Sequence, residues 1–261
     1  MEGDREATGK AKDAASRALA LDDELPEAHL AQGQVMMRGE WDWPGAQREF
    51  DRAVALDPNL AYGHWAKSTL LMALGDKEKA IVQMEMARRL DPGSQDTMDD
   101  LGWAYDFTRN FDEAIRNSQK AVAMEPSSLI ANHQLGKAYL HAKRFDDARK
   151  QFETTLRLDR AKRGLADLGQ LAALTGDAAK ARAILAELKR AEQKSPTYEF
   201  AYMSAVLEAS LDDKDAALKS LHAAVEQKLS RAIWMAIDAD MDPLQGDPRF
   251  QALLRRVRLI P

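Results

Sequence analysis

The sequence predicts an all-helical chain in which helix pairs stack one on the next along a repeating array. Three observations predict it. Ala46, Ala80, Ala114 and Ala148 lie 34 residues apart, and Pro58, Pro92 and Pro126 keep the same step. Alanine is abundant and β-branched residues are sparse, which favours helix over strand. Hydrophobic residues make up 45% of the 261 and charged residues 30%, enough for a continuous buried spine under a solvated exterior. In such an array each unit packs on its neighbours, so length follows repeat number and one domain over 1–261 is expected.

The elements follow in order. Residues 8–23 read as a partial unit: Ala11, Ala15, Ala18 and Leu21 keep the spacing of a second helix, and Asp22-Asp23 ends it. Unit one (26–59) carries Gly33, Ala46, Phe50, Ala53, Leu56 and Pro58. Unit two (60–93) carries Ser68, Leu71, Ala80, Met84, Ala87, Leu90 and Pro92. Unit three (94–127) has Leu101-Gly102, Tyr105, Phe111, Ala114, Ala121, Met124 and Pro126. Unit four (128–160) has Leu135-Gly136, Tyr139, Phe145, Ala148, Phe152 and Leu158, with Arg160 where proline is expected. Unit five (161–192) has Leu168-Gly169, Gly176, Ala181, Leu185 and Leu188. A linker at 192–196, with Ser195 as a helix cap, leads to a divergent sixth unit (196–228). The remainder (229–261) holds two Asp-Pro breaks and a short helix at about 248–257 that should lay Phe250, Leu253 and Leu254 over the open end.

Each position has a physical reason. Gly or Ser midway along a first helix lets the second approach, and the alanine answers it from the other side. Leu, Phe and Met at i, i+3, i+4, i+7 form the stripe facing the neighbouring helix. The step from Gly33 to Ser68 is 35, one residue long, and Trp41 and Trp43 fall in that turn. They read either as a sticky loop or, the favoured reading, as a cap on the first helix pair.

These residues resemble the tetratricopeptide repeat family over nearly the whole chain. The resemblance implies a right-handed solenoid of about five to six helix pairs with a C-terminal capping helix. A finer resemblance is to C-terminal arrays of bacterial signalling proteins that follow a winged-helix, class III cyclase or kinase domain. It rests on Gly39-Glu40-Trp41-Asp42-Trp43 and on Met241 to Phe250, and it implies a regulatory part acting by self-association or on an effector domain.

In this family the first helices line the concave side, at places that recur from unit to unit. The candidate partner-binding groove is therefore Gln34, Trp65, Thr69, Asp99, Trp103, Asp106, His133, Lys137, His141 and Gln170. Met37, Met72, Asp96, Ile130, Leu140, Arg163 and Ala166 fall at or near the same places. Trp65 and Trp103 are not required by the pair core and could anchor a partner side chain. Asp96, Asp99, Asp100 and Asp106 would favour a basic-apolar peptide. The opposing reading is that the acids form a solvated face and the tryptophans pack on adjacent helices. The family's cationic clamp for a C-terminal carboxylate is missing, since its places hold Trp65, Thr69, Asp99, Trp103, Gln134 and Asp167.

No chemistry is expected. His133 and His141 lie eight residues apart, about 12 Å along a helix, too far to share a metal. His29, His64 and His222 are isolated, and neither Gly-x-Ser-x-Gly nor His-Glu-x-x-His occurs. No catalytic residue, metal or cofactor is expected, and the chain reads as no enzyme. Net charge is −5 and no polar pair repeats at matching positions, which argues against nucleic acid. Basic residues from Lys143 to Arg163 and from Arg249 to Arg258 could meet an acidic partner or a second copy. The absence of cysteine and of any apolar run long enough for a membrane leads to a cytoplasmic expectation.

Overall fold

The computed structural model describes residues 2–158, 163–194 and 200–260. Its helices are α1 (Glu2–Leu21), α2 (Pro26–Gln34), α3 (Trp43–Leu56), α4 (Ala61–Ala73), α5 (Lys77–Leu90), α6 (Gln95–Phe107) and α7 (Phe111–Met124). They continue as α8 (Leu129–His141), α9 (Phe145–Leu158), α10 (Arg163–Leu174), α11 (Ala178–Lys194), α12 (Phe200–Ser210), α13 (Lys214–Glu226) and α14 (Pro248–Arg256). A π-helical stretch, Val35–Glu40, extends α2, and two 3-10 turns, Ser230–Trp234 and Ala239–Leu244, precede α14. The fold is all-helical, with sequence neighbours packed as antiparallel pairs. Arg160, Ser195 and Pro196 lie outside the described residues, as does the side chain of Arg163. Packing divides the chain into two units, Met1–Thr97 and Met98–Pro261.

Within each unit the pairs close on small residues. Ala46, Ala80, Ala114 and Ala148 are fully buried. Gly33 faces the ring of Phe50, and 103 residues later Gly136 faces Phe152 in the same way. A Cβ on Gly136 would sit 2.5 Å from Phe152 Cε1, far inside van der Waals contact. In the second pair Ser68 stands at this place, and its hydroxyl donates to the carbonyl of Ala80 (2.7 Å).

The turn within each pair repeats as strictly as the core. Trp41, Gly75, Arg109, Lys143, Gly176 and Asp212 all have positive φ, the first four at steps of 34. The following residue caps the second helix in several pairs: Asp42 accepts from Gly45 N (3.0 Å), Asp177 from Lys180 N (3.1 Å) and Asp213 from Ala216 N (3.1 Å). A glycine is conformationally easier at such a turn, yet only Gly75 and Gly176 supply one.

The extra residue of the first pair is not in this turn. Gly33 to Trp41 spans eight positions, where Ser68 to Gly75 and Gly102 to Arg109 span seven. The surplus therefore lies between them, and the helix absorbs it as the π-helix Val35–Glu40. Trp41 holds the left-handed turn position, and Trp43 opens α3 with its side chain buried.

A second recurring device ties three of the loops between pairs to the helix after them. His29 Nε2 lies 2.9 Å from the carbonyl of Asp23, and His64 Nε2 lies 3.0 Å from that of Pro58. Asn132 Nδ2 donates to the carbonyl of Pro126 (3.0 Å). The other end of each side chain meets the next helix: Glu49 for His29, Gln83 for His64 and Gln151 for Asn132. These histidines are structural ties.

The Gly136–Phe152 contact is testable by urea unfolding. Gly136→Ala should cost about 1–3 kcal/mol by overpacking. In a Phe152→Leu background the added cost should shrink. Strictly additive costs would mean that the close approach is not its origin.

Candidate functional site

Three first helices of unit 2, α8, α10 and α12, project polar groups onto one segment of the same chain, and α6 supports them through His141 and meets the segment through Trp103. The segment is residues 229–244, which bury Leu229, Ile233, Met235, Ile237, Met241 and Leu244. Asp240 is at its centre. Lys137 Nζ on α8 donates to Asp240 Oδ2 (2.5 Å) and to Gln170 Oε1 on α10 (2.7 Å). Gln170 Nε2 donates to Asp240 Oδ1 (2.6 Å). His141, at the end of α8, bridges two carboxylates: Nδ1 lies 2.8 Å from Asp106 Oδ2 on α6, and Nε2 lies 3.1 Å from Asp240 Oδ1. Tyr202 on α12 donates to Asp238 Oδ2 (2.8 Å), and Asp238 Oδ1 accepts from the backbone of Asp240 (3.0 Å).

The charges of the cluster follow from these neighbours. Burial by itself would lower the His141 pKa, but Asp106 and Asp240 push it up to about 10. Both ring nitrogens face carboxylates, an arrangement only the doubly protonated imidazolium satisfies. Burial likewise opposes a charge on Lys137, yet Asp240, Asp167 and Asp238 hold its pKa above the ordinary value. Asp240 is held well below the usual carboxylate range, because Lys137 and His141 outweigh its burial. Asp238 goes the other way, raised by burial and by the charge of Asp240. Burial and Asp238 together lift Tyr202 well above its ordinary value. Asp167 is lowered, its burial outweighed by His133, whose Nε2 lies 3.1 Å away, with Lys137 and Arg231 adding to the effect.

An aromatic contact lies beside this cluster. Trp234 of the segment meets Trp103 edge-on at 4.4 Å between ring centroids, and Trp103 rests on Phe107 at 4.2 Å. At its margin Arg109 pairs with Asp242 (2.7 Å).

The expected groove residues thus meet different fates. Asp106, Lys137, His141 and Gln170 come together on Asp240, and Trp103 packs on Trp234. His133 pairs with Asp167. Asp99 is buried and accepts from the hydroxyl of Ser128 (3.3 Å). Asp96 is the member of the acidic run left exposed. Met37, Met72 and Leu140 are core. Asp238 and Asp240, the acids that complete the cluster, were not among the expected residues. Their sequence signal was Asp238-Ala-Asp240 within a short-turn segment, which reads as loop chemistry rather than as a charge partner for helices a hundred residues earlier.

Unit 1 carries the other three. Gln34 lines an open cavity of about 640 Å³ between α1, α2, the π-helix and the start of α4. Its wall is largely apolar, with Ala11, Leu30, Ala31, Val35, Leu60 and Tyr62. Tyr62 is exposed and stacks on Trp65 at 4.8 Å and 15°. Thr69 is buried, its hydroxyl donating to the carbonyl of Trp65 (2.9 Å). Lys12 Nζ meets Glu40 (2.6 Å) and ties α1 to the π-helix. Among the described residues, no group of three or more histidine or acidic side chains is placed to hold a metal ion. No helix among them is long and apolar enough to cross a membrane.

Residues 108–166 match the tetratricopeptide repeat family. The fold is that of a tetratricopeptide solenoid. A tetratricopeptide repeat protein from Parabacteroides merdae superposes with a TM-score of 0.67 at 15% identity, covering 88% of this chain and 92% of that one. The Cut9–Hcn1 hetero-tetramer of the APC/C gives 0.65 at 17%, covering 96% of this chain and 46% of that one. PilF of Pseudomonas aeruginosa gives 0.58 at 20%, covering 74% and 87%. No curated protein matches the chain significantly by sequence.

Two outcomes check the cluster. The His141 pKa is raised on folding, so the stability it contributes is fully present below about 6.5, its unfolded value, and is lost as pH rises through about 10. Thermal melts should therefore show His141→Gln well below wild type at pH 6, with the gap closing towards pH 10. A gap independent of pH would remove the imidazolium from the account. Trp103→Ala should cost about 1–3 kcal/mol through its contacts with Phe107 and Trp234, less than the about 2–5 kcal/mol expected for fully buried Leu101→Ala. An unchanged urea midpoint would mean that the indole contributes nothing to the docked segment.

Proposed function

We propose that the chain is a non-catalytic protein-interaction scaffold that holds a peptide or partner segment along its first helices. The observation that carries this reading is the contrast between the two units. In unit 2 the faces of α6, α8 and α10 already hold residues 229–244, so Trp103, Asp106, Lys137, His141 and Gln170 act as a receptor for the chain's own segment. In unit 1 the corresponding part of the array keeps an open apolar cavity with Gln34 in its wall and the Tyr62–Trp65 stack beside it. A cavity of this size, with few polar groups, suits apolar side chains of a bound segment. The basic-apolar partner and a cytoplasmic location belong to the same proposal.

A regulatory role through self-association or an effector domain rests on the resemblance of residues 39–43 and 241–250 to bacterial signalling arrays. Met241, Leu244 and Phe250 are fully buried, so part of that resemblance reflects how an array is capped. Sedimentation velocity separates the two readings: a peptide binder keeps its mass as concentration rises, and a self-associating regulator does not.

The cavity is tested by selecting a displayed peptide library on the wild type and on Ala31→Trp. Ala31 is exposed on the cavity wall, so the indole fills the space without entering the core. Selected peptides should lose at least about tenfold in affinity, roughly the 1.4 kcal/mol of one lost anchor. Equal binding to both proteins would sink the cavity as the site.

A further inference from the structure

The cavity of unit 1 has a polarity along its length. Glu27 lies in the first turn of α2 and Arg38 in the π-helix that continues it, and both line the cavity. Arg38 lies eleven positions after Glu27, about 16 Å at the rise of a helix. Between them the wall is Leu30, Ala31 and Val35, with Leu60 and Tyr62 opposite. Among the described residues Glu27 has no ion-pair or hydrogen-bond partner. Arg38 Nε donates to Gln34 Oε1 (2.9 Å). That bond fixes the amide of Gln34 and leaves its Nε2 donor without a partner among the described residues. A buried donor without an acceptor is uncommon in a native protein and marks a place where a ligand oxygen would be favourable.

We propose that this cavity reads a short extended segment carrying a basic residue at one end, an acidic residue at the other and apolar side chains between. The proposal rests on the scaffold reading above and names the partner chemistry of that same site. Glu27 takes the basic end and Arg38 the acidic end, so charge sets the direction in which the segment lies. The apolar side chains fill the cavity floor. An extended backbone is required because its carbonyls are free to accept from Gln34 Nε2, whereas those of a helical partner are already bonded within the helix. At about 3.3 Å per residue, 16 Å corresponds to about five residue steps, and six, the next even number, keeps both charged ends on the face that carries the apolar side chains. The π-helix is what makes the site. It adds one residue to the first helix, and Gly39 lets α1 approach, with the Thr8 methyl 2.6 Å from where a Cβ would stand.

The probe is the acetylated, amidated peptide Gly-Ser-Lys-Ser-Leu-Ser-Leu-Ser-Glu-Gly, labelled for fluorescence anisotropy, with blocked ends so that only side chains carry charge. Its companions replace the lysine by glutamate, the glutamate by lysine, or both leucines by serine. The full-length wild type should bind the Lys–Glu peptide about two- to fivefold more tightly than either like-charged companion, the range of exposed ion pairs. It should lose the serine version. The ranking should flatten in 1 M salt. Glu27→Lys should turn the preference to the Glu–Glu peptide, and Arg38→Glu should turn it to the Lys–Lys peptide. Both positions are exposed, and circular dichroism confirms that the variants fold. A ranking unchanged by both reversals, with binding still lost in Ala31→Trp, overturns the polarity and leaves the scaffold reading standing. Binding that survives Ala31→Trp overturns both. No binding of any probe peptide overturns the polarity, and the library selection then judges the scaffold reading separately.

Discussion

Asp240 gives up nearly all of its water where residues 239–244 dock, and a carboxylate in that position is tolerable only if charge and hydrogen bonds replace the solvent. Lys137, Gln170 and His141 do so from two helices, and His141 in turn needs Asp106 from a third. Removing one member of such a buried set strands the others, at about 3–5 kcal/mol. The arrangement changes the character of unit 2. A plain repeat array has only nearest-neighbour interfaces, so its pairs can loosen one at a time. Here one segment touches α6, α8, α10 and α12 together. Contacts such as Arg109–Asp242 and His141–Asp240 join residues 133 and 99 positions apart, so the four helices gain or lose the segment as a set.

The helix pairs themselves obey a tighter rule. Where a second helix carries a bulky ring, the first helix offers no Cβ, as in Gly33 against Phe50 and Gly136 against Phe152. Where the first helix has Ser68, the second helix carries Met84 and the hydroxyl bonds to the Ala80 carbonyl. The pairing is thus one of complementary volumes at a fixed step. The left-handed turn residue and the cap after it hold that step in place, even where arginine, lysine or tryptophan must adopt the strained conformation. Position in the repeat overrides residue preference.

That is why the fold was legible and the docked segment was not. The 34-residue step shows in the alanines, prolines and glycines because each is dictated by contacts inside one unit. The ring of Phe50 and the absence of a side chain at Gly33 are two halves of one local fact. The lengthened first unit was also visible, but the step from Gly33 to Ser68 does not say where the extra residue sits. Comparing Gly33–Trp41 with Ser68–Gly75 locates it, since the turn position is itself periodic. The groove reading used family positions and so found Asp106, Lys137, His141 and Gln170. It could not find Asp240, because no periodicity links residue 240 to residues 106–170. A one-dimensional pattern carries no trace of a contact made once.

The two tryptophans show what that single contact does. Trp65 and Trp103 both lie on first helices, about one helical turn out of register in the 34-residue step, and each is a candidate anchor. Trp103 is covered by an aromatic from the docked segment, Trp234. Trp65 is stacked by Tyr62 from its own helix, and Tyr62 keeps half of its surface in solvent beside a cavity. The difference lies in what the chain supplies to each. Unit 2 receives a segment whose tryptophan and aspartates match its aromatic shelf and its lysine and histidine. Such a face satisfies itself and has little left for a partner. Among the described residues unit 1 receives no equivalent segment, and its cavity keeps Glu27 and Arg38 without opposite charges, the amide donor of Gln34 without an acceptor, and an apolar wall. A partner that binds the chain through its first helices would find those groups unsatisfied in unit 1, whereas in unit 2 it would first have to displace a carboxylate already held by a lysine, a glutamine and an imidazolium.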